Sequence, residues 1–301
     1  MTSEEGATLT LIIPTYNRAA KTLVALRSVL DQDFDCSVIV VDDGSDAPFE
    51  LPDDLIVDAR IKVVHHDTNR GVSAARNTGI SYCSTPLVTF LDSDDWLLPA
   101  TLAERVRFAT EEFARTPQDT YLTIGCGWED SGRAKIRMPR DSREPSNFFG
   151  GCWVCPGSAV IFQSRLFTTL GLYDEQLRRL EDVDLFIRIG QLNGRYICHD
   201  IVGVSIYPST GKSSEDIAGS SQVLLKSYEK QSREGTVSQS QLRKLRAYVA
   251  LELAVNAWRS KHILATLGHL VKSFILVPRM GLQLVPGWRV IDAREFSDTS
   301  R

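Results

Sequence analysis

Four short apolar runs, each parted from the next by a helical pattern or a polar turn, constrain this chain more than any other feature. Residues 8–14 (TLTLIIP), 37–41 (SVIVV), 60–65 (RIKVVH) and 86–91 (PLVTFL) are rich in β-branched side chains and short, which predicts buried strands. Residues 19–32 repeat Leu23, Leu26 and Leu30 at helical spacing. Residues 71–81 offer Ala74, Ala75 and Gly79 for close packing, and residues 101–115 are amphipathic. Strands alternating with helices of this length predict an α/β fold, a mainly parallel central sheet flanked by helices on both faces. After residue 115 the rhythm changes. Strands are expected over 120–128, 133–138, 158–163 and 195–207, with a loop rich in Gly, Pro and Arg over 139–156 and a helix from near Glu181 to Leu192. From Ser220 onward the chain reads as helical, with a polar connector at 231–239.

With 301 residues, 43% of them hydrophobic, the chain can bury a core without metal or disulfide staples. Its six cysteines read as thiols, Cys152 and Cys155 forming a lone pair without a second pair at zinc spacing. Residues 1–5 are acidic and lack the basic start and apolar run of a signal peptide. No stretch reaches the roughly 18 apolar residues of a membrane span. The nearest, 263–277, is interrupted by His269 and Lys272. The expected address is the cytoplasm. The net charge of -4 hides an asymmetry: from Ser221 onward there are 13 Lys and Arg against 6 Asp and Glu, whereas the first 220 residues carry 21 against 32. An acidic body argues against nucleic acid as a partner. The basic C-terminal region leaves an anionic membrane surface open, which would make the address peripheral at the inner face. Within 261–277, Ile263, Leu267, Leu270, Val271 and Phe274 fall on one face and His262, Thr266, His269 and Ser273 on the other. Such a stripe packs into its own domain, into an oligomer, or onto a membrane.

Ligands of open parallel sheets bind beyond the carboxyl ends of the strands. Three strand ends here are conspicuously polar: Pro14-Thr15-Tyr16-Asn17-Arg18, Asp42-Asp43-Gly44-Ser45 and Asp92-Ser93-Asp94-Asp95. One acidic turn is commonly a helix cap or a loop. Two acidic clusters at one sheet edge repel unless a cation or donors compensate. Carboxylates at i and i+2 suit a hard divalent ion, Mn²⁺ or Mg²⁺, whose open positions can grip a diphosphate.

Taken together, LIIPTYNR, VIVVDDGS, NRGVSAARNTGI, VTFLDSDDW and GLYDEQLRRLEDVDLFIRI resemble, in order and spacing, the motifs of family 2 glycosyltransferases. The resemblance covers residues 8 to 210 or so and implies the GT-A fold: a nucleotide-binding half over about 8–115, an acceptor-binding half over about 116–217, and here a helical region over 218–301. It implies transfer of one sugar, with inversion, from a nucleotide-diphospho-sugar, UDP-linked in this reading, to a hydroxyl of a glycan or lipid-linked acceptor, as in cell-envelope polysaccharide assembly. The resemblance makes Tyr16 the residue that stacks on the base, with Pro14, Thr15 and Asn17 shaping its loop. Asp43 would accept a hydrogen bond from the base, beside Asp42. Arg70 and Arg76 fall where the family places a cation near the nucleotide, though Arg76 could instead lock its helix onto an acid of the sheet. Asp92 would lie near the ribose or a metal-bound water, Asp94 would ligate the metal, and Asp95 would assist.

Asp182 matches the family's general base. An attacking hydroxyl must lose a proton, and a carboxylate from a segment other than the metal site can take it. Glu181 and Asp182 would also favour a helix N-terminus, and Glu181 is read as orienting a neighbour. Gly157, Ser158 and Trp153 fall in the region that faces donor sugar and acceptor, with a core position as the plain alternative for Trp153. Lys212 lies in the loop that covers the nucleotide in relatives, although the His of their Tyr-Arg-x-x-His pattern is missing after Tyr207. His65 and His66 read as surface residues. The QxxRW motif of processive synthases is absent, which implies addition of a single sugar. Two alternatives compete: a catalytically silent nucleotide-sugar-binding module, and a DxD phosphatase, whose motif belongs on a first strand and is followed by Thr or Val rather than Asp95.

Overall fold

A computed structural model describes residues 7–132, 135–151, 157–207, 214–278 and 288–292. Trp153, Lys212, Cys152 and Cys155 lie outside the described residues. The four apolar runs form β1 (Leu9–Thr15), β2 (Ser37–Asp42), β3 (Ile61–His65) and β4 (Leu87–Phe90), all parallel and ordered β3-β2-β1-β4. Burial on both faces is why β1 is apolar without alternation. Helix α1 (Ala19–Leu30) links β1 to β2, and α2 (Val72–Ser81) links β3 to β4. After β4 come β5 (Trp96–Leu97) and α3 (Leu102–Arg115).

The second half extends the same sheet with mixed polarity. It adds β6 (Leu122–Asp130), β7 (Lys135–Pro139), the short helix α4 (Pro145–Phe148), a 3₁₀ turn at Gly157–Ala159, β8 (Val160–Gln163), α5 (Arg165–Leu170), α6 (Glu181–Gln191) and β9 (Arg195–Ile206). Strand β8 is antiparallel to both β4 and β6, while β9 runs parallel to β6 and also pairs with β5. The C-terminal region supplies α7 (Ser214–Arg233), α8 (Gln239–Arg259) and α9 (Ile263–Leu276).

Two expectations are corrected here. The C-terminal region is not wholly helical: β10 (Trp288–Asp292) returns to pair antiparallel with β7, closing an edge that would otherwise offer unpaired backbone groups. The face of α9 read as polar is the buried one, with Thr266 and Ser273 inside and the apolar stripe outside.

Among the described residues, two apolar cores hold the fold together. The larger lies about the sheet, with Ile12, Val40, Phe90 and Phe162 among its members. The smaller joins Phe149, Val183 and Ile187 to Leu224, Tyr228, Leu245 and Val249, so α6 is clamped between the sheet and the C-terminal helices.

Candidate active site

The strand order reverses at β1, since β2 and β3 lie on one side of it and β4 on the other. Parallel pairing brings the strand ends into line, Thr15 opposite Asp42 and Ile12 opposite Phe90. The chain beyond stays in register, with Asp43 N–H donating to the Thr15 carbonyl (2.8 Å) and Leu91 N–H to the Ile12 carbonyl (2.9 Å). A crevice opens at such a switch point. Here it is a cleft of about 380 Å³ lined by Pro14, Thr15, Tyr16, Arg18, Asp43, Asn69, Arg76, Asp92, Asp94, Arg178, Arg179, Glu181 and Asp216, among others.

Arg76 organises the floor. Its side chain is 2% exposed; Nη1 donates to Glu181 Oε1 (3.1 Å) and Asp182 Oδ1 (3.2 Å), and Nη2 to Asp92 Oδ1 (3.0 Å). Burial works against its charge, and Asp182, Asp92 and Glu181 outweigh that, keeping the guanidinium firmly protonated. Of its two readings, the lock is therefore present in the structure: one cation ties the β4 end to the first turn of α6. The Arg76 guanidinium lies 5.3 Å from the centre of the Tyr173 ring and 5.6 Å from that of Phe90. Gly157 sits against the same group, since a Cβ there would lie 3.4 Å from Arg76 Nη2 and 3.9 Å from Asp182 Oδ1.

Asp182 is 21% exposed beside this cation and, unlike Glu181, is not among the residues that line the cleft. Burial pushes its carboxyl up to about 6; Arg76 pulls it down, and Glu181 and Asp92 add to the rise. The turn that places it is strained at Leu180, whose φ of 65° is left-handed for a residue with a side chain.

Asp43 is buried and already held. Its Oδ1 accepts from Arg70 N–H (2.9 Å) and lies 2.7 Å from His66 Nδ1, while Oδ2 accepts from Gly71 N–H (2.7 Å). His66 Nε2 lies 2.8 Å from Thr78 Oγ1. The surface reading of His66 is therefore wrong, because the imidazole is buried and braces the acid that lines the cleft. Gly44, at φ 71°, lets this turn pass the Thr68–Asn69 backbone, where a Cβ would come within 2.4 Å of the Thr68 carbonyl carbon. Tyr16 lines the cleft and is 42% exposed, and its ring is a flat surface on which a base can stack.

Several expected site residues stand elsewhere. Asp42 accepts from the Ser45 hydroxyl and from Ser45 and Phe49 N–H, so it builds the turn after β2 and does not line the cleft. Asn17 exchanges hydrogen bonds with Asp46 and also braces that turn. Arg70 points to Glu175 (3.0 Å), outside the cleft lining. Asp95 is turned inward, accepting from Ser158 Oγ (2.7 Å) and Tyr207 N–H (3.0 Å), with its carboxyl pushed up to about 8 chiefly by burial. It is in no position to assist a metal in the cleft. Ser158 is likewise structural, since its Oγ also accepts from Asp92 N–H and so fixes the acidic turn to β8.

The cleft also holds residues given no role from sequence: Arg18, Asn69, Arg178, Arg179 and Asp216. Arg18 Nη1 donates to Asp94 Oδ2 (2.8 Å), and Arg178 Nη1 to Asn69 Oδ1 (2.9 Å). The signal for Arg178 and Arg179 was the Arg-Arg dipeptide separated from Glu181 only by Leu180, two cations entering a helix start rather than leaving a helix end.

For a divalent ion, the cleft offers Asp92 and Asp94, each facing it, and among the described residues no cluster of three ligating side chains. Two carboxylates with neighbouring space for oxygens of a ligand fit a hard cation held partly by what it binds.

Comparison with known proteins follows the same line. The model of glycosyl transferase family 2 matches residues 10–171. The class of protein is thus defined, and this chain belongs to glycosyl transferase family 2. A pre-mycofactocin glycosyltransferase of Mycobacterium tuberculosis is 30% identical over 202 residues, covering 62% of this chain and 40% of that protein. The putative glycosyltransferase EpsH of Bacillus subtilis is 33% identical over 111 residues, 36% of this chain and 32% of EpsH. The chain thus spans well under half the length of these relatives. Among solved structures, S. aureus TarS 1-349 in complex with UDP-GlcNAc superposes with a TM-score of 0.57 at 17% identity, covering 89% of this chain and 91% of that one. That likeness establishes the GT-A-type fold with its C-terminal helices. Among the described residues, no helix is long and apolar enough to cross a membrane.

Proposed function

We propose that this chain is an inverting, metal-assisted glycosyltransferase that moves one sugar from a nucleotide-diphospho-sugar, UDP-linked in our reading, to a hydroxyl of a glycan or lipid-linked acceptor, with cell-envelope polysaccharide assembly as the setting. One observation carries it. The buried guanidinium of Arg76 binds both Asp92, which lines the cleft, and Asp182 of α6, so a diphosphate-side acid and a candidate base share one hydrogen-bond network.

In this reading Tyr16 stacks on the base and Asp43, fixed by His66 and the 70–71 amides, accepts from it. Asp92 and Asp94 would hold Mn²⁺ or Mg²⁺; such an ion, when bound, takes up charge on the departing diphosphate as a Lewis acid. Arg18, Arg178 and Arg179 supply further positive charge at the cleft. Asp182 removes the acceptor's proton as the hydroxyl attacks the anomeric carbon, and Arg76 and Glu181 hold it in place. Trp153 and Lys212 remain candidates for the sugar and the diphosphate. The relatives named above support transfer as the activity, and the UDP-GlcNAc complex of TarS supports the donor class.

Asp182→Asn should lower transfer by roughly 10²–10⁴-fold while UDP affinity stays within about twofold by calorimetry. Comparable turnover would remove Asp182 from the base role. The silent-module alternative is separated by slow metal-dependent hydrolysis of UDP-sugars, which it does not allow. The phosphatase alternative loses ground because the DxD acids follow β4, not a first strand.

A further inference from the structure

Helix α9 is packed inside out. It lies along α8 with Thr266 and Ser273 buried, while Ile263, Leu264, Leu267, Val271, Phe274 and Ile275 are 45–86% exposed. At about 100° per residue these six side chains share an arc of roughly 120°. Trp258, in the last turn of α8, is also 66% exposed. A contiguous apolar face of this kind marks an interaction surface rather than ordinary scatter.

The charge of this part of the sequence points to what the face meets. From Leu253 to Ile291 the sequence has no Asp or Glu, yet it contains Arg259, Lys261, Lys272, Arg279 and Arg289. Glu252, the acid preceding this stretch, is engaged by the Tyr248 hydroxyl (2.6 Å). Arg259, Lys261 and Lys272 are exposed on or next to the two helices. A second copy meeting this face symmetrically would set like patches together, and the stretch supplies no acid to offset Arg259, Lys261 and Lys272. A bilayer with anionic headgroups offers both an apolar layer and negative charge. At 14 residues α9 is about 21 Å long, less than the roughly 30 Å hydrocarbon core. It is suited to lie on a membrane, not to span one.

We propose that the outer face of α9, with Trp258, docks on the headgroup region of a bilayer carrying anionic lipid. The inference stands on this helix and its charge, independently of the transfer reading.

The test uses the full chain with sucrose-loaded vesicles of phosphatidylcholine alone or with phosphatidylglycerol. The protein should sediment with the phosphatidylglycerol vesicles, release as salt is raised, and show a blue-shifted emission that Trp258→Phe removes. The triple variant Leu264→Ser, Val271→Ser, Ile275→Ser alters only exposed positions, so an unchanged melting temperature verifies its fold. It should bind more than tenfold more weakly. Lys261→Gln and Lys272→Gln should each cost about fivefold. Failure of the wild type to bind these vesicles, or full binding by the triple variant, overturns the proposal. So does a dimer in sedimentation equilibrium that the triple variant abolishes, since a second copy would then own the face.

Discussion

Arg76 has almost no water around its guanidinium, so three carboxylates set its charge in place of hydration. Removing one partner of such a buried pair typically costs about 3–5 kcal/mol, which makes the network rigid as well as charged. For Asp182 the consequence is a carboxyl pushed up to about 6. A base must be ionised, and a raised carboxyl is still protonated at pH 5 and ionised by pH 7. The kcat/KM of transfer should therefore fall about tenfold per pH unit below about 6 and level off above it, and a pH–rate profile flat down to pH 4.5 would contradict the assignment. Asp94 gives a second expectation. It now pairs with Arg18, so Asp94→Ala should weaken UDP binding in Mn²⁺ at least tenfold but change metal-free binding little, by calorimetry. That Tyr16, Asp43, Arg76, Asp92 and Asp94 would share one cleft was legible because motif order placed them at strand ends and on the intervening helix. Asp42, Asp95 and Ser158 were misread for a physical reason. Sequence gives a polar residue near the edge but not whether backbone N–H groups of a tight turn have already claimed it.

Elements carry these side chains by close approach. Gly79, one turn after Arg76 in α2, faces Ile12 of β1, and a Cβ at that position would lie 2.4 Å from Ile12 Cγ2. Alanine would gain up to about 1 kcal/mol of helix propensity over glycine. Overpacking against a fully buried, β-branched neighbour costs about 1–3 kcal/mol, and this outweighs the gain because Ile12 is wholly enclosed by the core. Gly79→Ala should lower the melting temperature by several degrees and weaken UDP binding, as α2 lifts and Arg76 shifts with it. Adding Ile12→Ala should cost less than the two single changes together, a coupling readable in a double-mutant cycle. Strands β1 to β4 and helices α1 to α3 were legible from their periods, whereas β5, α4 and α5 are too short to show one. The burial of α9 was not, because an amphipathic period gives the angle between two faces and not which of them turns inward. Strand β10 was missed because a five-residue run becomes a strand only when β7 offers it an edge.

At the scale of the whole molecule, the boundary expected near residue 217 cuts the first turn of α7, and the smaller core crosses it. Tyr228 of α7 is fully buried there, edge-on to Phe149 at 5.9 Å, and its hydroxyl donates to Asp184 Oδ1 (2.9 Å). Asp184 lies two residues from Asp182 on α6, so the C-terminal helices stiffen the element that carries the candidate base. The physical expectation is one folding unit, not an α/β domain with an independent helical appendage. Tyr228→Ala should destabilise by about 3–5 kcal/mol, the usual cost of deleting a buried aromatic ring. In calorimetry it should move a single transition of the entire chain, with the calorimetric and van't Hoff enthalpies still equal. It should also lower kcat more than it raises KM, because α6 would hold Asp182 less firmly while the strand ends that grip the nucleotide stay in register. Two separate transitions, with only the smaller shifted by Tyr228→Ala and turnover unchanged, would mean that the helices fold alone and leave the cleft to the sheet.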